Sequence, residues 1–145
     1  MAKLFFILFM SVNTCSMQDT IMFQVDFQDF FREDIIIFTI DDCRIFEKTV
    51  TSNIYDESGD MFINNGFTGI AIMGFKVEDY IEIQFEEESA RCKIIEGKYL
   101  KLTIFLNGTP NVFNVDLSKG KYIGFDKGES NSLLLHQSGY PFEYE

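Results

Sequence analysis

From Ile21 onward the chain alternates apolar and polar side chains, and that period of two restricts its fold more than any other feature. In DYIEIQFEEES, Ile81, Ile83 and Phe85 fall on one side and Tyr80, Glu82, Gln84 and Glu86 on the other. Successive side chains of a strand point to opposite faces, so this is the pattern of a strand with one face in a core and one in water. Ile21, Phe23, Val25 and Phe27 alternate with Met22, Gln24 and Asp26 in the same way. In YLKLTIFL the inward set is Leu100, Leu102, Ile104 and Leu106, and in VFNVDL it is Phe113, Val115 and Leu117. ARCKII is expected to pair antiparallel with EIQFEEE, which turns Cys92 inward and sets Arg91 and Lys93 against the acids.

Turn chemistry separates these runs. Asp41 and Asp42 lie between IIIFTI and CRIFEKTVT and predict a hairpin, because Asp tolerates the positive φ of a tight turn. SNIYDESGD reads as a loop bending at Gly59, and Asn65-Gly66 as a turn between MFIN and GIAIM. NGTPN reads as a five-residue loop, and the Lys127-Gly128 region joins KYIGFD to SLLLHQ. The glycines of FTGIAIMGF and KGKYIGF lack the strand-to-helix context of a phosphate loop and mark bulges or turns. Capped helical spacing is missing after the first segment, so helices should be few and short. About ten short strands with frequent turns predict an all-β fold, an antiparallel β-sandwich of jelly-roll or immunoglobulin-like type, with a barrel as the alternative. No repeat or linker divides residues 17–145, which are expected to form a single β domain, with the tail SGYPFEYE along a sheet edge.

The first residues have a different character. Lys3 precedes seven apolar residues, 4–10, and a short polar stretch, the layout of an export signal over residues 1–16. The run is too short for a bilayer, which takes roughly 20 apolar residues. Thr14 and Ser16 suit ordinary signal cleavage before Met17, which discards Cys15. Alternatively Val12, Asn13, Thr14 and Cys15 form a lipobox, and Cys15 is a candidate lipid acceptor that becomes residue one. A short leader closing on a cysteine, followed by a Phe-, Ile- and Asn-rich, Ala-poor β body, resembles small exported lipoproteins of Bacteroidetes bacteria. The resemblance implies a compartment and carries no functional residue.

Of 145 residues, 46% are hydrophobic and 17 are Phe, enough to order a core despite 23 acids against 12 bases. A net charge of -11 repels phosphate backbones and anionic headgroups. Nucleic acid is therefore not an expected partner, and a membrane is one only through an N-terminal lipid. A neutral or basic partner, protein or glycan, fits better. Acidity is also what keeps an exported protein soluble.

Cys43 and Cys92 remain after export, 49 residues apart, as a candidate disulfide or as two separate buried thiols. Two cysteines and one histidine at these spacings do not make a zinc set, so no metal and no cofactor is expected. His136, the single histidine, lies in a strand-like run without a G-x-S-x-G elbow, which favours a structural role. Consecutive Glu86, Glu87 and Glu88 should point to alternate faces of a strand and not converge. Asp56, Glu57 and Asp60 surround Gly59 without calcium-loop spacing and read as an acidic turn.

The chain thus reads as a non-enzymatic, exported binding or structural protein of the bacterial cell envelope, periplasmic or at the surface, or secreted. Tyr80, Glu82, Glu86 and Tyr99 are the candidate binding residues on an acidic outer sheet face, and Tyr80 and Tyr99, with Tyr122, are the rings that would line up across a sheet for a sugar. Cross-strand tyrosine pairing explains the same pattern. Two alternatives have distinct chemistry: an acidic inhibitor or immunity-type protein covering a basic enzyme, and a carbohydrate-binding module stacking sugars on tyrosine.

Overall fold

The computed structural model describes residues 21–51, 54–55, 61–62, 71–93 and 99–143. The leader with Cys15, the Asp56 to Asp60 segment and the Asn65-Gly66 turn lie outside them. Twelve strands are described: β1 (Ile21–Phe27), β2 (Asp34–Ile40), β3 (Cys43–Val50), β4 (Ile54–Tyr55), β5 (Met61–Phe62) and β6 (Ala71–Val77), then β7 (Tyr80–Phe85), β8 (Glu88–Lys93), β9 (Tyr99–Leu106), β10 (Thr109–Asp116), β11 (Tyr122–Lys127) and β12 (Leu133–Ser138). A six-stranded sheet, β12-β11-β1-β6-β7-β8, packs on a four-stranded sheet, β10-β9-β2-β3, as a β-sandwich. Only short 3-10 turns, Leu117–Lys119 and Glu129–Asn131, interrupt the strands of the described residues.

The alternation decides which face each strand buries. Phe23, Val25 and Phe27 of β1, Ile81 and Ile83 of β7 and Ile123 and Phe125 of β11 are fully buried. They face Ile36, Phe38 and Ile40 of β2 and Leu100, Leu102, Ile104 and Leu106 of β9. Six phenylalanines form a chain of ring contacts that crosses between the sheets three times. Phe113 tilts against Phe125 at 4.9 Å, Phe125 stacks on Phe27 at 5.8 Å, and Phe27 meets Phe38 edge-on at 6.2 Å. Phe38 then stacks on Phe46 at 5.5 Å, and Phe46 tilts against Phe85 at 5.1 Å. Each such pair adds about 0.5–1.5 kcal/mol beyond area burial, which is how a Phe-rich sequence binds two sheets together.

The two open sides of the sandwich are closed by different chemistry. Cys43 at the start of β3 bonds Cys92 in β8, joining the outer strands of the two sheets with Cα atoms 5.9 Å apart. On the opposite side the closure is polar. Asn111 of β10 accepts from the Leu133 backbone N–H and donates to the Asn131 carbonyl, while Gln137 Nε2 donates to the carbonyls of Asp116 and Gly120.

Several local expectations need correction. β1 pairs with β11 in parallel, so the sandwich is mostly rather than wholly antiparallel. The β9–β10 connection is a two-residue turn, Asn107-Gly108, with φ of 50° and 85°. These values suit a hairpin's twist, and the strands zip up to Thr109, leaving Pro110 in β10, an outer strand where its missing N–H costs least. Ile54–Tyr55 is a short strand inside the expected loop, and it pairs with Met61–Phe62; β6 pairs instead with β1 and β7. Val115 is buried as expected, whereas Phe113 and Leu117 are half-buried.

Gly74 of β6 allows a close approach. A Cβ there would overlap the buried Phe23 ring opposite, where the β1–β6 register shifts between Ile21 and Phe23. Gly74→Ala is expected to cost about 1–3 kcal/mol in urea unfolding through overpacking, whereas Gly139→Ala, with nothing near its Cβ, should change little.

Candidate functional site

One end of the sandwich collects most of the polar side chains that make specific contacts. Three connections meet there: residues 28–33 between β1 and β2, the Asn107-Gly108 turn, and residues 128–132 between β11 and β12. Five of the eight described non-glycine residues with positive φ lie in them: Phe30, Glu33, Asn107, Ser130 and Asn131. Such conformations cost about 1–3 kcal/mol each unless held by their surroundings. Phe31 does part of the holding, fully buried with its edge on Phe27 at 5.7 Å.

Asp34 is the hub on the core side. It shares the inward parity of Ile36, Phe38 and Ile40, and its side chain is 5% exposed. Oδ1 accepts from Lys127 Nζ and Asn107 Nδ2, both at 2.8 Å, and Oδ2 accepts from the Arg32 backbone N–H at 2.7 Å. Burial pushes its pKa upward, but hydrogen bonds from Lys127, Asn107 and the Arg32 N–H, with the Lys127 charge, outweigh it and hold the carboxyl below its ordinary value. Asn107 completes the tie by accepting from the Ile35 N–H and donating to Asn131. A carboxylate so fully engaged fastens β2, β11 and two turns together.

On the outer side, Asp126 of β11 accepts the Asp29 N–H at Oδ1, and its Oδ2 lies 2.7 Å from His136 Nε2. Burial and the neighbouring Asp126 charge raise the Asp29 pKa, with His136 opposing. The His136 side chain is 49% exposed. However, His136 Nε2 is committed to a carboxylate. No group of three or more His, Cys, Asp or Glu is placed to hold a metal among the described residues. Because ionised Asp29 is disfavoured by the fold, Asp29→Asn should stabilise slightly at neutral pH, by less than about 0.5 kcal/mol at this exposed position. The gain should vanish in acid, where Asp29 is protonated; paired urea titrations at neutral and acid pH measure it.

The residues singled out from the sequence do not form one surface. Tyr80 and Glu82 lie on β7 of the six-stranded sheet, Tyr99 on β9 of the four-stranded one and Tyr122 on β11, so Tyr80 and Tyr99 do not line up across a sheet. The Tyr80 ring is covered by the Arg91 guanidinium, 4.6 Å from its centroid, which occupies the face a sugar would stack on. Arg91 sits opposite Glu82 in register, the cross-strand charge pairing expected of these strands. Glu86 and Glu87 form the β7–β8 turn instead of extending a strand, and this brings Glu86 and Glu88 together on Lys48 Nζ, at 3.0 and 2.6 Å. That convergence corrects the expected divergence: left-handed Glu86, φ 52°, reverses the chain there.

Among the described residues, six acids lie pairwise in two-residue turns: Asp41-Asp42, Glu78-Asp79 and Glu86-Glu87. Asp41-Asp42 and Glu78-Asp79 are two-residue turns at the end opposite Asp34, and an open groove of about 470 Å3 runs beside the first, along Ile40, Cys43 and Cys92. Buried Asp34 was hidden because it closes the charged run QDFFRED; its parity with Ile36 was the available signal. Comparison with known proteins finds no matching family model, no matching characterised protein and no matching solved structure.

Proposed function

We propose that this chain is an exported, non-enzymatic β-sandwich that serves as a binding or structural component of the bacterial cell envelope, tethered through lipid on Cys15. The observation that carries the reading is the Cys43–Cys92 bond joining the two sheets, since such bonds persist in oxidising, extracytoplasmic compartments. The placement of Asp34, Asp126 and His136 in bonds that brace the fold agrees with a structural rather than a catalytic use of these groups. Mass measurement of the mature N-terminus tests it. A diacylglycerol-sized increment on Cys15, with release to the soluble fraction on Cys15→Ser, is expected. An uncleaved chain recovered from the cytoplasm with free thiols overturns it.

A second reading, an acidic inhibitor or immunity-type protein, is favoured by one feature. Asp41 and Glu78 adopt φ of 49° and 52° at the start of their turns, positions where Asn or Gly fits the backbone better. Asp tolerates the positive φ of such a turn but Glu does not favour it, so turn geometry leaves Glu78 unexplained, whereas a basic cleft docking on the four acids of that end accounts for both pairs. This reading predicts a 1:1 complex with a cationic protein that weakens steeply with salt and is lost on neutralising both turns.

A further inference from the structure

One central strand of the four-stranded sheet, β2, is apolar on both faces over most of its length. β2 reads DIIIFTI: Ile36, Phe38 and Ile40 fill the core, while Ile35 and Ile37 point the other way. Outward positions on a sheet with one watered face are normally polar. Here Ile35 is 48% exposed, Ile37 and Phe105 lie opposite each other half-buried, Pro110 is opposite Phe105, and Val112 beyond it is 56% exposed. Register makes these five residues one patch across β2, β9 and β10. Thr39, Thr103 and Thr49 border it.

Charge narrows what can cover it. The chain carries -11, yet this outer face holds two cations, Arg44 and Lys101, and two anions, Glu47 and Asp116, and so sums to zero. A second copy can approach it without the repulsion that the acidic turns would impose. Edge-to-edge pairing of this sheet is obstructed by Pro110 on β10 and by the charges of β3, leaving face-to-face stacking. Four strands ~4.8 Å apart and about eight residues long give a footprint of about 500 Å2 per copy. The pair then covers about 1,000 Å2, the lower end for specific interfaces, which sets a weak, concentration-dependent contact.

We propose that the outer face of the four-stranded sheet is a self-association surface, centred on Ile35, Ile37, Phe105 and Val112, on which a second copy of this chain stacks face to face. Sedimentation velocity of the purified protein, with Cys15→Ser to remove any lipid contribution, tests it from ~1 to ~300 µM. A monomer–dimer equilibrium is expected, unchanged or strengthened by added salt. Val112→Glu is expected to weaken it at least tenfold. Ile35→Thr with Val112→Thr keeps β-branched shapes, and should weaken dimerisation while leaving the urea midpoint of the monomer in place. A monomer throughout the range, dissociation by salt, a dimer indifferent to both variants, or capture of a non-associating monomer by phosphatidylcholine vesicles each overturns the proposal.

Discussion

Replacing Cys43 and Cys92 together by alanine is expected to remove about 4 kcal/mol of stability. The bond joins residues 49 apart in sequence, and on the chain-entropy account a closed loop of that length restrains the unfolded ensemble by roughly that amount. The native side supports the figure, because the bridge connects outer strands of different sheets, β3 and β8, that no ladder joins. The Lys48 pairs with Glu86 and Glu88 span the same side but are solvated ion pairs and cannot substitute for it. With an m-value near 2 kcal/mol/M, the urea midpoint should fall by roughly 2 M, and reduction of the native protein should reproduce the loss. A midpoint within a few tenths molar of the parent would mean that the sheets are held by the phenylalanine contacts alone. The double variant is the clean comparison, since changing Cys43 alone leaves a buried thiol at Cys92.

The parts of the fold that could be read from the chain are those written in local periodicity. Ile81, Ile83 and Phe85 announce their face because burial on one side demands alternation, and Cys92 follows by parity with its neighbours. Turns were legible where two residues suffice, as at Asp41-Asp42. At Asn107-Gly108 the same signal was overrun by Pro110, which looked like a loop residue until an outer strand accommodated it. The parallel β1–β11 pair was out of reach, since it joins segments nearly a hundred residues apart and leaves no local mark. DIIIFTI was legible as a strand but not as a two-faced one, because apolar residues at consecutive positions hide which set the core takes. The polar end was least legible of all. Asp126, His136 and Asp29 meet only because β11, β12 and the β1–β2 connection end at the same place, and Tyr80 and Tyr99, each on the polar side of its strand, lie on different sheets.

Asp34→Ala should be nearly as damaging as loss of the disulfide, about 3 kcal/mol, and for a reason that pH can isolate. Truncation removes the acceptor for three donors at once, leaving Lys127 Nζ, Asn107 Nδ2 and the Arg32 N–H without it at the core edge. Breaking a buried pair from one side costs about 3–5 kcal/mol, and the partial exposure of Lys127 places this one at the lower limit. Asp34→Asn keeps the shape, removes the charge and exchanges one acceptor oxygen for an NH2 donor, so one side of the three-donor contact is lost with it. The folded-state pKa of Asp34 lies below its ordinary value, so the unfolded chain takes up the proton first as pH falls. The group's contribution is therefore complete above about pH 5 and declines through the unfolded value near 4, disappearing below the folded one. The gap in unfolding free energy between parent and Asp34→Asn should accordingly be constant from about pH 5 to 7 and narrow as pH falls from about 4 through the lower folded-state value. Asp29 titrates in the opposite sense but is present in both proteins, so it cancels in the difference. A gap that persists unchanged through the acid range would assign the loss to hydrogen-bond geometry alone, and Asp34 would no longer be the charged anchor that ties β2 to β11.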